Sequence, residues 1–193
     1  MTKTNLVLDK LENHDVVATF FVVGQRINDN TKSVLKRMDS MGCEIGNHSW
    51  GYSSMDQMDS AEIVESVENT NDAVEMYTSM SPNFFRPPNL AISNTMYEVI
   101  DLPFAGGVLG YDWSGGGGDT PEKVANNVLS EMKDGAIILL HDVQPDPHPT
   151  PKALDTLIPA LKNLGYEFVT LSNLFDRKSV DPDVEYKIWK YVE

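Results

Sequence analysis

The sequence predicts an α/β fold in which helices and strands alternate along the chain. Short, strongly apolar runs such as residues 16–24 (VVATFFVVG) and 135–142 (GAIILLHD) have the composition of buried parallel strands. The longer segments between such runs carry apolar residues at helical spacing. This alternation indicates βαβ units, arranged either as a doubly wound sheet or as a (β/α) barrel.

The first half of the chain contains three helix and three strand signals. Gly42 ends one amphipathic helix, Ser60 is the predicted N-cap of the next, and Pro87 and Pro88 stop a strand. The predicted helices cover residues 6–11, 28–41 and 60–80, and the predicted strands cover 16–24, 43–48 and 83–89.

The second half repeats the alternation. Thr120 is a predicted N-cap with Pro121 at the first helical position, and Gly165 follows the last predicted helix. The predicted helices cover residues 95–100, 119–133 and 151–164, and the predicted strands cover 103–113, 135–142 and 166–171. We therefore predict one domain over residues 1–175 and a polar C-terminal extension over 176–193 that lies on the surface.

Composition excludes several classes of partner. The 193 residues carry a formal net charge of −14, which repels phosphate backbones and anionic membranes but suits a neutral or cationic substrate. Cys43 is the single cysteine and is predicted to be a buried thiol, so no intrachain disulfide is expected. No signal peptide and no transmembrane helix are predicted, which leaves the location of the protein open.

Polar residues follow four of the predicted strands. These residues are His48, Arg86, Asp112 with Trp113, and His141 with Asp142. Any one of them alone is readily explained as a structural histidine, a turn cap or a surface ion pair. Because the carboxyl ends of parallel strands meet at one face of an α/β fold, their recurrence predicts one shared pocket.

The same residues lie in segments that resemble a known family. GNHSW (46–50), FRPP (85–88), YDW (111–113) and ILLHD (138–142), in this order, are similar to motifs of the NodB-homology polysaccharide deacetylases, carbohydrate esterase family 4. The resemblance covers about residues 6 to 175. It implies a distorted (β/α) barrel and a divalent metal, usually zinc and sometimes cobalt. It also implies metal-assisted hydrolysis of N- or O-acetyl groups on chitin-like glycans, peptidoglycan or acetylxylan.

The resemblance implies a metal site at the first motif. His48 matches the first histidine of the family's H-[ST]-x-x-H motif, and Tyr52 stands where the second histidine is expected. Neutral tyrosine is a poor ligand, and zinc sites use three or four protein ligands. His148 and, less readily, His14 are the other candidates for a replacement ligand.

The remaining motifs imply catalytic and substrate-binding roles. Arg86 would orient the catalytic base, Asp112 would support Arg86 and the histidine, and His141 would act as the general acid. The implied substrate-binding residues are Trp113, Leu139, Pro87 and Tyr52. Two positions depart from the family pattern, with Leu109 in place of the first aspartate of D-x-x-D-W and Leu90 in place of the glycine of R-P-P-x-G.

The largest departure concerns the first strand of the family, which ends in T-F-D-D-G and supplies the base and a metal ligand. This sequence begins with a predicted helix and contains no Asp-Asp pair. The barrel is therefore predicted to lack its first strand, either because the chain is a fragment or because it is a divergent member. A missing strand exposes two edges, which predicts a homodimer formed through the gap.

Three functional hypotheses follow. The first is a deacetylase-family hydrolase acting on an acetylated polysaccharide, which the family resemblance would place outside the cell or at its surface. The second is a catalytically inactive family member that binds carbohydrate or serves as a scaffold. The third is an unrelated α/β protein in which the motifs occur by chance.

Overall fold

The computed structural model describes residues 2–113 and 116–193. The helices are α1 (Thr2–Asn13), α2 (Lys32–Ser40), α3 (Ser60–Tyr77), α4 (Asn94–Val99), α5 (Pro121–Leu129), α6 (Thr150–Asn163) and α7 (Leu171–Lys178). The strands are β1 (Thr19–Val22), β2 (Glu44–Asn47), β3 (Phe104–Ala105), β4 (Val108–Leu109), β5 (Ile138–Leu139) and β6 (Ile188–Trp189). The predicted alternation of helices and strands is confirmed.

The strands are short and parallel. β1 pairs with β2, β3 with β6, and β4 with β5. Single parallel bridges at Phe85 connect β2 to β3. Because β4 follows β3 after two glycines, the pairings run in the order β1, β2, Phe85, β3 with β4, and β5.

The array does not close between its two ends. In the described ranges 2–113 and 116–193, no backbone hydrogen bond joins β1 to β5 or to residues 166–170. The parallel ladder uses Ala18 and Val22 toward β2, so the backbone groups of Thr19 and Phe21 face away from it. We call this opening the seam. A cavity of about 1490 Å³ runs along it.

Apolar clusters hold the helices on the outside of the strands. The largest cluster joins α1, α2 and α6 to β1 and β2 through residues such as Leu8, Leu35, Ile45 and Ile158. Burial of these side chains stabilises the packing of the three helices against β1 and β2, and β1 lines the cavity. Cys43 belongs to the same cluster, which confirms the predicted buried thiol, and burial raises its pKa.

Several predicted boundaries are corrected. Asp59, not Ser60, caps α3, because its carboxylate accepts hydrogen bonds from the first turn and Glu62 completes a capping box. Phe85 forms only isolated bridges, and residues 166–170, predicted as a strand, have no ladder partner and are not a strand. Thr120 and Pro121 begin α5 as predicted.

The C-terminal segment does not follow the predicted surface course. Residues 171–178 form α7, and residues 188–189 form β6 beside β3. Trp189 and Val192 are buried in a cluster with Phe175. The prediction of a surface extension over 176–193 is therefore wrong for β6. The apolar side chains of Trp189 and Val192 pack into the core instead of lying on the surface.

Glu44 of β2 fixes the start of α7. Its carboxylate accepts hydrogen bonds from the Ser172 backbone and hydroxyl and from the Thr19 hydroxyl. An anion at a helix N-terminus satisfies free backbone N–H groups. Glu44 therefore joins β1, β2 and α7 through hydrogen bonds. No helix of the described residues is long and apolar enough to cross a membrane.

Candidate active site

The residues that follow the strands meet at one cavity, as the sequence predicts. Of the predicted site residues, those that line it are His48, Tyr52, Arg86, Pro87, Trp113, Leu139 and His141. Asp112 lies directly behind His141 and is only 2% exposed. The four strand ends therefore form one candidate active site.

His141 and Asp112 form an oriented acid–histidine pair. Asp112 Oδ1 lies 2.8 Å from His141 Nδ1, and Asp112 Oδ2 accepts a hydrogen bond from the His141 backbone N–H at 2.8 Å. The Thr150 hydroxyl at the start of α6 donates to Asp112 Oδ2 at 2.6 Å. These contacts fix the ring, so that Nε2 is the nitrogen left for the cavity.

The electrostatics of Asp112 favour its charged form. Burial alone would raise the pKa of Asp112, but the hydrogen bonds and charge of His141, with the Thr150 hydroxyl, outweigh it and hold the pKa below its ordinary value. The ionised carboxylate accepts from Nδ1–H and so fixes the tautomer and the orientation of the His141 ring. The pair is therefore suited to proton donation by His141.

Asn47 shapes the loop that carries His48. Its side-chain amide donates to the Val67 carbonyl and to Asn71 of α3, and its oxygen accepts from the Ser49 backbone N–H. Ser49 has φ +66°, an uncommon conformation that these hydrogen bonds hold in place. The loop is thus anchored to α3 immediately after β2.

His48 presents a neutral imidazole to the cavity. Its Nδ1 lies 2.6 Å from the Arg86 carbonyl oxygen, so Nδ1–H donates and Nε2 keeps its lone pair. Burial lowers the pKa of His48 from 6.5 to about 4, and the charges of Arg86, His141 and Arg26 add to the effect. Tyr52 packs edge-on against this ring, with centroids 5.4 Å apart.

The His48 environment predicts a pH dependence of stability in the metal-free chain. Unfolded His48 takes up a proton below pH 6.5, whereas the folded residue resists protonation until about pH 4. Stability is therefore lost as pH falls through this window, by roughly 3 kcal/mol from this group.

Urea unfolding at several pH values, with chelator present, measures this loss. His48→Gln is the matched control, because it keeps the polarity of the ring position without a titrating group. The wild-type chain should lose about 3 kcal/mol more than the variant between pH 7 and pH 4. Parallel pH profiles for the two chains would show that His48 is not desolvated.

Arg86 is a half-buried cation that lines the cavity. Its Nε and Nη2 donate to the Ala105 and Gly106 carbonyls at 3.0 and 2.7 Å, and its guanidinium lies 4.0 Å over the Phe21 ring. Burial lowers the pKa of Arg86 to about 9, so it remains charged at neutral pH. In the described residues no carboxylate forms an ion pair with it, although charges removed from solvent in proteins are normally paired.

Apolar side chains form one side of the cavity. Leu139 and Leu109 are directly paired in the β4–β5 register, and Trp113 lies edge-on to the His141 ring with centroids 5.8 Å apart. Leu90 lines the same cavity from the turn after Pro87. Arg86 lines the same cavity.

Among the described residues, His48 can serve as one ligand of a metal site, but a complete set of ligands is not found. His48 is neutral with a free Nε2, which suits a divalent metal. Within residues 2–113 and 116–193, no group of three His, Cys, Asp or Glu side chains could hold an ion. His148 contacts the Asp142 carbonyl and His14 contacts Asp155, so neither joins His48.

The fold and the site together define the class of protein. Candidate catalytic groups at the carboxyl ends of parallel strands in an α/β domain are the arrangement expected of the NodB-homology type. The family model described as polysaccharide deacetylase matches residues 1–103. The chain belongs to the polysaccharide deacetylase family.

Relatives and solved structures agree with this assignment. The chain is 45% identical over 190 residues to a bifunctional xylanase/deacetylase of Pseudobutyrivibrio xylanivorans, covering 98% of this chain and 31% of that protein. It is 35% identical over 176 residues to the peptidoglycan-N-acetylglucosamine deacetylase PgdA of Listeria monocytogenes, covering 89% and 36%. The chain thus spans about a third of the length of these curated relatives.

A solved structure matches almost the whole fold. The family 4 acetyl xylan esterase of Clostridium thermocellum, solved in complex with a cobalt ion, superposes with a TM-score of 0.94 at 50% identity. The match covers 98% of this chain and 92% of that chain. The α/β fold of the family is therefore shown for this chain, and a metal ion is present in a close structural relative.

Sequence reasoning missed some of the residues that build the site. Asn47 and Thr150 are both buried and make the hydrogen bonds that hold the His48 loop and Asp112. Their signals were weak, because single Asn and Thr residues at element boundaries are usually caps. Thr150 in particular lies one residue before the helix predicted over 151–164.

Proposed function

We propose that this chain is a hydrolase that removes acetyl groups from a polysaccharide. The observation that carries the proposal is the His141–Asp112 pair, held by three hydrogen bonds to Asp112 at the edge of a cavity with an apolar side. A histidine oriented in this way can protonate the leaving oxygen or nitrogen of an acetylated sugar. Leu139 and Trp113 would receive the acetyl methyl group.

Each further side chain has a proposed role in binding or positioning. Arg86 would hold an acidic group or a developing oxyanion, since its remaining N–H groups have no carboxylate partner in the described residues. Pro87 and Tyr52 would contact the substrate at the mouth of the cavity. His48 would supply one ligand to a divalent metal, zinc or cobalt by family, and such a metal would supply Lewis acidity toward the acetyl carbonyl.

Metal-assisted activity also needs ligands beyond His48. We infer that they would enter through the seam, because the cavity that His48 lines runs along it. An extended segment placed there would find the free backbone groups of Thr19 and Phe21. A second copy of this chain could supply such a segment. The homodimer stays a prediction, which the mass of the 21.5 kDa chain in solution tests.

The substrate is proposed to be an acetylated xylan, peptidoglycan or chitin-like glycan. The activities of the relatives and the apolar side of the cavity support this proposal. Such substrates occur outside the cell, and we propose that the protein acts there or at the cell surface. The net charge of −14 argues against nucleic acid and against anionic membranes as partners.

A second candidate function is glycan binding without catalysis. It is favoured by one observation, the lack of a three-residue metal cluster in the described part of the chain. Metal analysis and an acetate assay separate the candidates. The hydrolase should bind zinc or cobalt and release acetate from at least one of acetylated xylan, chitin oligomers and peptidoglycan. Glycan binding without bound metal or acetate would support the second candidate.

A further inference from the structure

Two leucines line the cavity without contributing to the core. Leu109 ends β4 and Leu90 ends the turn that follows Pro87, and both are partly buried. The described residues form four apolar clusters, and neither leucine belongs to any of them. Their apolar surface is therefore directed to the cavity rather than to the interior of the domain.

Leu109 extends the apolar side of the cavity next to Leu139. The β4–β5 ladder pairs Leu109 with Leu139 and Val108 with Ile138. Directly paired residues of neighbouring strands place their side chains on the same face of the sheet. Leu109 and Leu139 therefore present one continuous apolar surface beside His141.

Leu90 is held in a backbone conformation that disfavours leucine. Asn89 and Leu90 have φ values of +55° and +56°, in the left-handed region that glycine and asparagine tolerate best. Bulky residues in this region are rare, and such strain concentrates at functional sites. Because Leu90 joins no core cluster, core packing does not account for a strained leucine there.

We propose that Leu90 and Leu109 are specificity-determining residues that select a neutral sugar at the acetylated position. They would pack on the apolar C–H face of the sugar ring and exclude glycans with a carboxylate beside the acetyl group. A carboxylate placed against the two leucines loses hydration and gains no hydrogen-bond donor from either of them, and the net charge of −14 adds repulsion. The inference rests on the proposed function for the position of the acetyl group.

Calorimetric binding of oligosaccharides to the full chain tests the proposal. The probes are neutral xylo-oligosaccharides and peptidoglycan glycan strands freed of their peptides, which expose the muramic acid carboxylate. The wild-type chain should bind the neutral probe at least about tenfold more tightly. Leu109→Gln and Leu90→Asn should each reduce this preference to about threefold or less.

Two controls separate recognition from folding. Arg26→Gln changes an exposed cation at the same cavity and should keep the preference for the neutral probe. Leu90→Asn should unfold at the same temperature as the wild-type chain or higher, because asparagine tolerates the left-handed conformation. Any of three results would overturn the proposal. The preference for the neutral probe would be unchanged in both leucine variants, or it would be lost in Arg26→Gln. Alternatively, Leu90→Asn would unfold at a markedly lower temperature than the wild-type chain.

The same experiment distinguishes this inference from the proposed function. A wild-type chain that prefers the neutral probe but releases no acetate would leave the inference standing and remove the hydrolase. Acetate release without any preference between the probes would support the hydrolase and remove the selective role of the leucines.

Discussion

Replacement of Asp112 by asparagine is expected to lower kcat for acetate release by at least about 100-fold. Asp112 accepts hydrogen bonds from His141 Nδ1–H, the His141 backbone and Thr150. An amide has one acceptor oxygen and no charge, so it cannot accept all three hydrogen bonds and fix the imidazole tautomer. Steady-state acetate release at saturating substrate measures the effect.

Thr150→Val is the matched control for this variant. It removes one hydrogen bond to Asp112 but leaves the charge and the His141 contact, so we expect a loss of about tenfold or less. Circular dichroism should show both variants folded. An Asp112→Asn chain that keeps wild-type kcat would contradict the assignment of His141 as the general acid.

Replacement of Arg86 by methionine is expected to abolish measurable turnover while changing stability little. The guanidinium makes charge-assisted hydrogen bonds to the Ala105 and Gly106 carbonyls and packs over Phe21. Losing these contacts destabilises the fold, but removing a half-buried cation that has no carboxylate partner among the described residues relieves a desolvation penalty of similar size. We expect the free energy of unfolding to change by no more than about 1 kcal/mol, as urea unfolding measures.

Arg86→Lys distinguishes charge from geometry. Lysine keeps the positive charge but cannot direct a planar fork at two carbonyls while stacking on Phe21. Turnover in Arg86→Lys should therefore fall by at least about 100-fold, close to the methionine variant. Near wild-type turnover in the lysine variant would show that Arg86 contributes only charge.

Much of the site was predictable because strand ends in an α/β fold converge. The positions of His48, Arg86, Asp112 and His141 follow from the apolar runs before them, and all four lie at or directly behind one cavity. The place of Tyr52 against the His48 ring also agrees with its position in the motif. These features depend on local sequence and on one topological rule.

Other features depend on contacts between distant residues. The segment 166–170 has strand composition but no partner across the seam, so its backbone forms no ladder. Trp189 is buried only because β6 returns to pair with β3, and this pairing has no local signal. The left-handed backbone of Leu90 likewise depends on a turn that its side chain disfavours.

The measurement that most directly tests the hydrolase proposal is acetate release by the full chain from acetylated xylo-oligosaccharides with cobalt present. The wild-type chain should release acetate in proportion to time and protein concentration, and the Asp112→Asn chain should release at least about 100-fold less. Folded wild-type protein that binds the oligosaccharides but releases no acetate from xylan, chitin or peptidoglycan substrates would contradict the account and identify a glycan-binding member of the family.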